Sequence, residues 1–187
     1  MNAHLLTHSR RVALRGLAAG VGLALMLTPP AQADDLQLLI KHGTVGGRFE
    51  RNGIGLRFGT LWTSMWGPWT AALKPELEFS RLRYSGTADA PHSLDEAGIL
   101  GVLRVTHPGA GLQAYVEAGL GGALFSHDRL GDKTFSTHFQ FSEHVGAGVT
   151  LGGRASLGWQ FSHYSNADIR LPNDGLDVHQ IVLAIRF

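Results

Sequence analysis

Short segments in which apolar residues alternate with small or polar ones recur along the chain from about residue 36 onward. A period of two is typical of a β-strand with one apolar face. The clearest examples are 54–58, 73–79, 99–105, 112–121, 145–151 and 181–187. With a less regular first segment, the pattern predicts eight strands, at about 36–46, 51–60, 69–83, 96–106, 112–125, 138–151, 155–165 and 177–187.

Alternation alone would also fit a soluble β-sandwich or a lipocalin-like barrel, but the second face of these strands favours a membrane barrel. A soluble barrel buries bulky apolar side chains inside, whereas an outer-membrane barrel has a polar lumen. Here the second face combines many glycines with charged residues, namely Arg57, Glu76, Glu78, Arg104 and Glu117. We therefore expect an all-β fold, an eight-stranded antiparallel transmembrane β-barrel.

The connections and the tryptophans favour the same fold. Short connections at 107–111 and 152–154 contrast with longer ones at 84–94, 127–137 and 166–176. An outer-membrane barrel shows the same contrast, with short turns at its periplasmic end and longer loops at its outer end. Trp62, Trp66 and Trp69 cluster at one strand end, where an aromatic girdle would lie, and the chain ends on Phe187 in phase with an apolar face.

The first 33 residues have a different pattern. Three arginines precede an apolar stretch from 16 to 27, and Ala-Gln-Ala ends at Ala33, which predicts a cleavable signal peptide over 1–33 and a barrel over 34–187. The leader holds three of the 16 basic residues and none of the 15 acidic ones, so the remainder has a formal net charge of −2 and no sign of a nucleic-acid partner. With no cysteine, stability must come from packing or lipid.

One segment near the C-terminus carries candidate chemistry. The sequence lacks the Gly-x-Ser-x-Gly, His-Glu-x-x-His, phosphate-loop and dinucleotide-binding motifs. Residues 161–167 read Phe-Ser-His-Tyr-Ser-Asn-Ala, and residues 172–175, Pro-Asn-Asp-Gly, follow shortly before Asp177. This places an imidazole, a hydroxyl and a carboxylate around one predicted hairpin, which are the groups of a Ser/His/acid esterase.

Strand phase puts these groups on the apolar face. The alternation of the last two strands points His163, Ser165 and Asp177 toward lipid, where polar groups are costly and need a reason beyond folding. We expect His163 to be the base, Ser165 the nucleophile and Asp177 the acid that orients the imidazole, with Asn166 or Asn173 near the oxyanion. If both termini are periplasmic, the site meets lipopolysaccharide at the outer leaflet. An interfacial role for the same polar residues is the alternative.

The two signature segments resemble a known family, the PagL-type lipid A 3-O-deacylases of the bacterial outer membrane. Residues 163–167, His-Tyr-Ser-Asn-Ala, and 172–175 resemble its C-terminal signature, and 139–148 is similar to its preceding strand. The resemblance is specific over about 50 residues and architectural before them. It implies that His163 is the base, Ser165 the nucleophile and Asn166 an oxyanion donor. It also implies that Asn173 and Phe141 shape the site.

The chain departs from this family pattern at two positions. The family usually has Glu where this chain has Asp177, whose side chain is one methylene shorter. It usually has Gly where this chain has Asp168, and that Gly contributes a backbone donor to the oxyanion hole. An Asp there restricts the backbone and brings a negative charge near a developing one.

The resemblance implies a serine esterase that removes the ester-linked 3-hydroxyacyl chain at the 3 position of lipid A, with lipopolysaccharide as substrate and no cofactor. We expect no metal, because His138, His144 and His179 lack the close paired spacing of a metal site. The sequence is also compatible with a homodimer. Two alternatives stay open, a non-catalytic OmpA-type structural barrel and a lipid A acyltransferase barrel.

Overall fold

The structure is a computed structural model that describes residues 35–187; the predicted signal peptide, 1–33, lies outside them. The described residues contain no helix long and apolar enough to cross a bilayer. Their strands are β1 (Gln37–Val45), β2 (Phe49–Arg57), β3 (Trp62–Trp66), β4 (Trp69–Tyr84), β5 (Ser93–His107), β6 (Leu112–Phe125), β7 (Arg129–Leu130), β8 (Lys133–Thr134), β9 (Phe139–Leu151), β10 (Ala155–Ser165) and β11 (Leu176–Arg186).

Eight of these strands close into an antiparallel barrel. Each pairs with the next in the order β1, β2, β4, β5, β6, β9, β10 and β11, and β11 pairs back with β1. The short β3 extends the wall of β2, because both pair with β4 on the same side. The predicted eight-stranded barrel is confirmed, with strand bounds within three residues of those expected.

The two faces of the wall are inverted relative to a soluble protein. Outward side chains such as Ile54, Val116 and Ile181 are apolar and more than half exposed. Inward ones such as Lys41 and Glu76 are charged and fully buried. An apolar exterior around a polar lumen is the pattern of a transmembrane barrel, in which the closed ladder satisfies every backbone hydrogen bond internally.

Part of the lumen holds a network of ion pairs. Lys41 Nζ lies 2.6 Å from Glu76 Oε1 and 2.7 Å from Glu78 Oε2. Arg57 lies 2.6 Å from Glu76 and 2.9 Å from Glu117. Burying these charges is tolerable because each one has an opposite charge within hydrogen-bonding distance.

The barrel has a turn end and a loop end. Connections 108–111 and 152–154 lie at the turn end, and 85–92, 126–138 and 166–175 lie at the loop end together with a short turn, 46–48. Trp62, Trp66 and Trp69 are exposed at the turn end. At the loop end an apolar cluster fills the lumen, and it comprises Phe49, Leu82, Tyr84, Leu94, Ala123, Phe125, Leu130, Phe135, Tyr164, Leu176 and Val178. This cluster supports the hairpin of β10 and β11 from inside.

Candidate active site

The strand register brings three titratable side chains into one outward-facing row near the loop end. His163 in β10 pairs with Asp177 in β11 on one side and with Glu143 in β9 on the other. The pairing continues along β9 without a bulge, so Glu143 keeps its outward phase. Inward neighbours such as Ser162 and Tyr164 are buried, which fixes the facing of the positions between them.

The imidazole of His163 is held by the carboxylate of Asp177. Nδ1 lies 2.6 Å from Oδ1, and both side chains are partly exposed, at 40% and 59%. Since an ionised carboxylate only accepts hydrogen bonds, this contact favours the tautomer of the neutral imidazole that has its proton on Nδ1 and Nε2 as the acceptor. The shorter acid of this chain therefore reaches the imidazole, because the two residues are directly opposite across the strands.

Ser165 lies two residues further along β10 on the same face, and its backbone position is about 7 Å along the strand from that of His163. Its partner across the strands is Phe141, whose ring meets that of Phe139 edge-on at 5.2 Å. Within residues 35–187, no hydrogen bond joins Ser165 to His163. Catalytic hydrogen bonds often form only when substrate binds, so the absence of this one is compatible with a nucleophile and base on the same face.

Asn166 ties the loop 166–175 to the inside of the barrel. Its side chain is fully buried, and Nδ2 donates to the carbonyls of Phe135 and Arg170, each at 2.7 Å. Its backbone N–H donates to Asn173 Oδ1 at 3.2 Å. Among the described residues, Asn166 Oδ1 is buried without a hydrogen-bond donor. The predicted oxyanion donor thus has its amide hydrogens engaged by loop carbonyls.

Two residues of this loop adopt left-handed backbone conformations. Ala167 and Asp168 have φ of +52° and +58°, a region that favours glycine. Asp168 Oδ1 accepts a hydrogen bond from Asn173 Nδ2 at 3.0 Å, which leaves the second Nδ2 hydrogen of Asn173 free of partners in the described chain. Asp168, which stands where the family resemblance implied a glycine, therefore has a backbone conformation that favours glycine and carries a negative charge beside Asn173.

Gly175 lies against the candidate site, and in the sequence it was identified only as part of the Pro-Asn-Asp-Gly segment. Its φ is +59°, and a Cβ there would lie 3.4 Å from His163 Cε1 and 3.3 Å from the carbonyl oxygen of Tyr164. A side chain at 175 would crowd the imidazole as well as strain the backbone. In the sequence, the indication of this role was that a glycine stands two residues before the predicted acid, Asp177.

A groove of about 470 Å³ runs down the outer wall from His163. Register places Leu120, Glu143 and His163 in its upper row, with Ala118, Val145 and Phe161 in the row below. The lower row is entirely apolar. The strand phase alone indicated that these positions face outward, but their assembly into a groove depends on the barrel register.

Tyr164 anchors β10 from the lumen. It lies between His163 and Ser165 and is buried, with its hydroxyl donating to Glu78 Oε1 at 3.1 Å. The guanidinium carbon of Arg51 lies 5.7 Å from the centre of its ring. The outward side chains of β10 are therefore fixed by inward contacts of the residue between them.

Known proteins are similar to this chain in both sequence and fold. The family model for "Lipid A 3-O-deacylase (PagL)" matches residues 51–186. Lipid A deacylase PagL of Bordetella bronchiseptica is 32% identical over 78% of this chain and 81% of its own length. That of Pseudomonas aeruginosa is 29% identical over 90% of this chain and 95% of its own.

The crystal structure of the outer membrane enzyme PagL superposes with a TM-score of 0.74 at 22% identity, covering 81% of this chain and 99% of the other. This structural match supports the eight-stranded barrel. The sequence matches extend over the barrel and include the hairpin that carries His163, Ser165 and Asp177. This chain belongs to the lipid A 3-O-deacylase (PagL) family.

Proposed function

We propose that this chain is a lipid A 3-O-deacylase that works as a serine esterase and releases the 3-hydroxyacyl chain from the 3 position of lipid A. The observation that carries the proposal is the 2.6 Å contact between His163 and Asp177 on the outer wall, on the same face as Ser165. Family membership supports the reaction, since the relatives in Bordetella and Pseudomonas are named lipid A deacylases.

In the proposed first step, Ser165 Oγ attacks the ester carbonyl carbon while its proton passes to His163 Nε2. Asp177 keeps the imidazole oriented and stabilises the imidazolium. Collapse of the tetrahedral intermediate breaks the bond to the sugar oxygen, which takes the proton from Nε2. Water then attacks the acyl-serine with the same base, so that a free 3-hydroxy fatty acid leaves and Ser165 recovers its proton.

The oxyanion of both intermediates is assigned to the loop 166–175. Asn173 offers the Nδ2 hydrogen that Asp168 does not engage. Asn166 acts directly only if the oxyanion replaces one of its two carbonyl partners; otherwise it holds the loop in place. Preorganised donors of this kind typically contribute about 10²–10³-fold to the rate of such a step.

The surroundings of the site support a lipid substrate. The outward row opens to the space that hydrocarbon would occupy, and the groove below His163 is lined by apolar side chains that suit an acyl chain. If both termini are periplasmic, the loop end faces outward and the site would lie at the outer leaflet, where lipopolysaccharide resides. Phe141 then lies beside the reacting ester and shapes the entry to the groove.

Mass spectrometry of lipid A from cells with and without the expressed chain tests the proposal. We expect the loss of one ester-linked hydroxyacyl group, and no loss with Ser165→Ala or His163→Ala, because nucleophile and base act as a unit. Unchanged lipid A from a folded, correctly inserted chain would favour a structural barrel. A gain of one acyl mass would favour an acyltransferase.

A further inference from the structure

Glu143 is a carboxylate in an unfavourable position. It projects from the outer wall between the outward-facing Phe141 and Val145, and its side chain is exposed. Among the described residues it takes part in neither a salt bridge nor a hydrogen bond. Ionisable groups on a lipid-facing wall are costly and usually serve a function, so an unpaired one beside a reacting imidazole points to a ligand.

The groove gives Glu143 a defined relation to the reacting groups. Because Asp177 holds Nδ1 of His163, Glu143 lies at the other flank of the imidazole, on the β9 side. Together with His163 it makes the polar end of a groove whose next row is apolar. An acyl chain that enters from Ser165 and runs into the hydrocarbon therefore passes Glu143 within its first carbons.

We infer that Glu143 accepts a hydrogen bond from the hydroxyl on the third carbon of the ester-linked acyl chain and makes the enzyme selective for 3-hydroxyacyl esters. This inference rests on the proposed deacylase function. The strand repeat separates the levels of Ser165 and Glu143 by about 7 Å. The two carbon–carbon bonds from the carbonyl carbon to the hydroxyl-bearing carbon, a hydrogen bond of about 2.7 Å and the length of a glutamate side chain together span that separation.

The selectivity follows from what happens when the hydroxyl is missing. An acyl chain in the groove shields Glu143 from water, so a chain without the hydroxyl leaves the carboxylate without a donor. A site built around a substrate hydroxyl discriminates strongly against the analogue that lacks it, for this reason.

Two synthetic glucosamine lipids that differ only in that hydroxyl test the inference, one with a 3-O-(3-hydroxymyristoyl) group and one with a 3-O-myristoyl group. We expect the unmodified protein, assayed in detergent micelles, to show a kcat/KM about 10–100-fold higher for the hydroxylated lipid. Glu143→Val should reduce this ratio to near one, chiefly by slowing the hydroxylated substrate. Glu143→Gln keeps an oxygen acceptor and should retain part of the preference.

Glu50→Val provides the matched control, since Glu50 is also an exposed carboxylate on the outer wall but lies in β2, away from the groove. It should leave the ratio unchanged. Heat-modifiable migration in gels checks that each variant forms the barrel.

The outcomes separate this inference from the proposed function. An unmodified protein that cleaves neither lipid contradicts the deacylase itself. An active protein without preference, or a Glu143→Val variant that keeps the full ratio, overturns the selectivity role alone. Equal loss of both substrates in a folded Glu143→Val variant also overturns it, because Glu143 would then act in the chemistry common to both.

Discussion

At the scale of the residue, the site depends on how Asp177 reaches His163. The contact of 2.6 Å is made by an aspartate, whose side chain is one methylene shorter than the glutamate that the family resemblance led us to expect. Asp177 and His163 are direct partners across two antiparallel strands, where side chains approach most closely. The backbone has thus placed the shorter acid within reach, and a longer one would have to fold back.

Replacing Asp177 tests whether this contact orients the base. We expect Asp177→Ala to lower the deacylation rate by about 10²–10⁴-fold with the barrel intact, because the residue is exposed on the wall. Asp177→Glu should also lower the rate, though less, since the strand spacing suits Asp. Rates on purified lipid A in detergent measure both.

Asp174→Ala is a useful comparison, because Asp174 Oδ2 accepts a hydrogen bond from the backbone N–H of Thr134 at 2.6 Å, whereas the imidazole of His163 is bonded to Asp177. An inactive Asp174→Ala beside a fully active Asp177→Ala would show that the strand-phase argument selected the wrong carboxylate.

The left-handed conformation of Asp168 leads to a second prediction. Asp168→Gly should raise the rate several-fold and stabilise the loop by up to about 1 kcal/mol, because it relieves the backbone and removes a negative charge near the oxyanion. Asp168→Asn removes only the charge. If both variants are faster, the charge limits the rate; if only the glycine variant is faster, the backbone does. Slower reaction in both would mean that the bond from Asn173 to Asp168 outweighs both effects.

At the scale of the element, the strands were largely predictable and their irregularities were not. Alternation located eight strands because a one-residue slip would turn a whole apolar face into the lumen. It missed β3, whose Trp-Thr-Ser-Met-Trp sequence lacks alternation, and the two-residue strands β7 and β8, which are too short to show a period.

The candidate site was likewise predictable only in the features that belong to a single strand. Strand phase gave the outward direction of His163, Ser165 and Asp177, because it is a property of one strand at a time. The neighbour of His163 on β9 and the engaged amide of Asn166 depend on register and on a loop contact with Phe135. Those contacts join residues distant in sequence, and no local pattern encodes them.

The ion pairs of the lumen predict a strong effect at Lys41. Lys41→Met would leave Glu76 and Glu78 facing each other without their shared ammonium, at a cost of about 3–5 kcal/mol in the free energy of unfolding. Urea unfolding in lipid vesicles measures this. Arg81→Met removes a cation that is paired with Asp95 on the outer wall, and we expect little change there. Equal losses of unfolding free energy in the two variants would contradict a stabilising role for the buried ion pairs.

At the scale of the whole molecule, stability depends on which side of the wall a substitution falls. Leu183→Arg places a charge on the apolar exterior and should cost about 2–4 kcal/mol near mid-membrane. Its neighbour Ala184 faces the lumen and is buried, so Ala184→Ser should cost much less. Vesicle unfolding curves compare the two, and equal costs would mean that the facing is misassigned.

Because the row that contains His163 and Asp177 stands on the outside of the wall, the proposed enzyme meets its substrate by sideways diffusion within a film of lipid. The quantity that drives the encounter is then the mole fraction of substrate among its amphiphilic neighbours, and the bulk concentration has little influence. Adding inert detergent at constant total substrate should slow the reaction by surface dilution, whereas adding substrate and detergent in fixed proportion should not change the rate per enzyme. In a bacterium, the same dependence would make deacylation follow the lipid composition of the leaflet around each barrel.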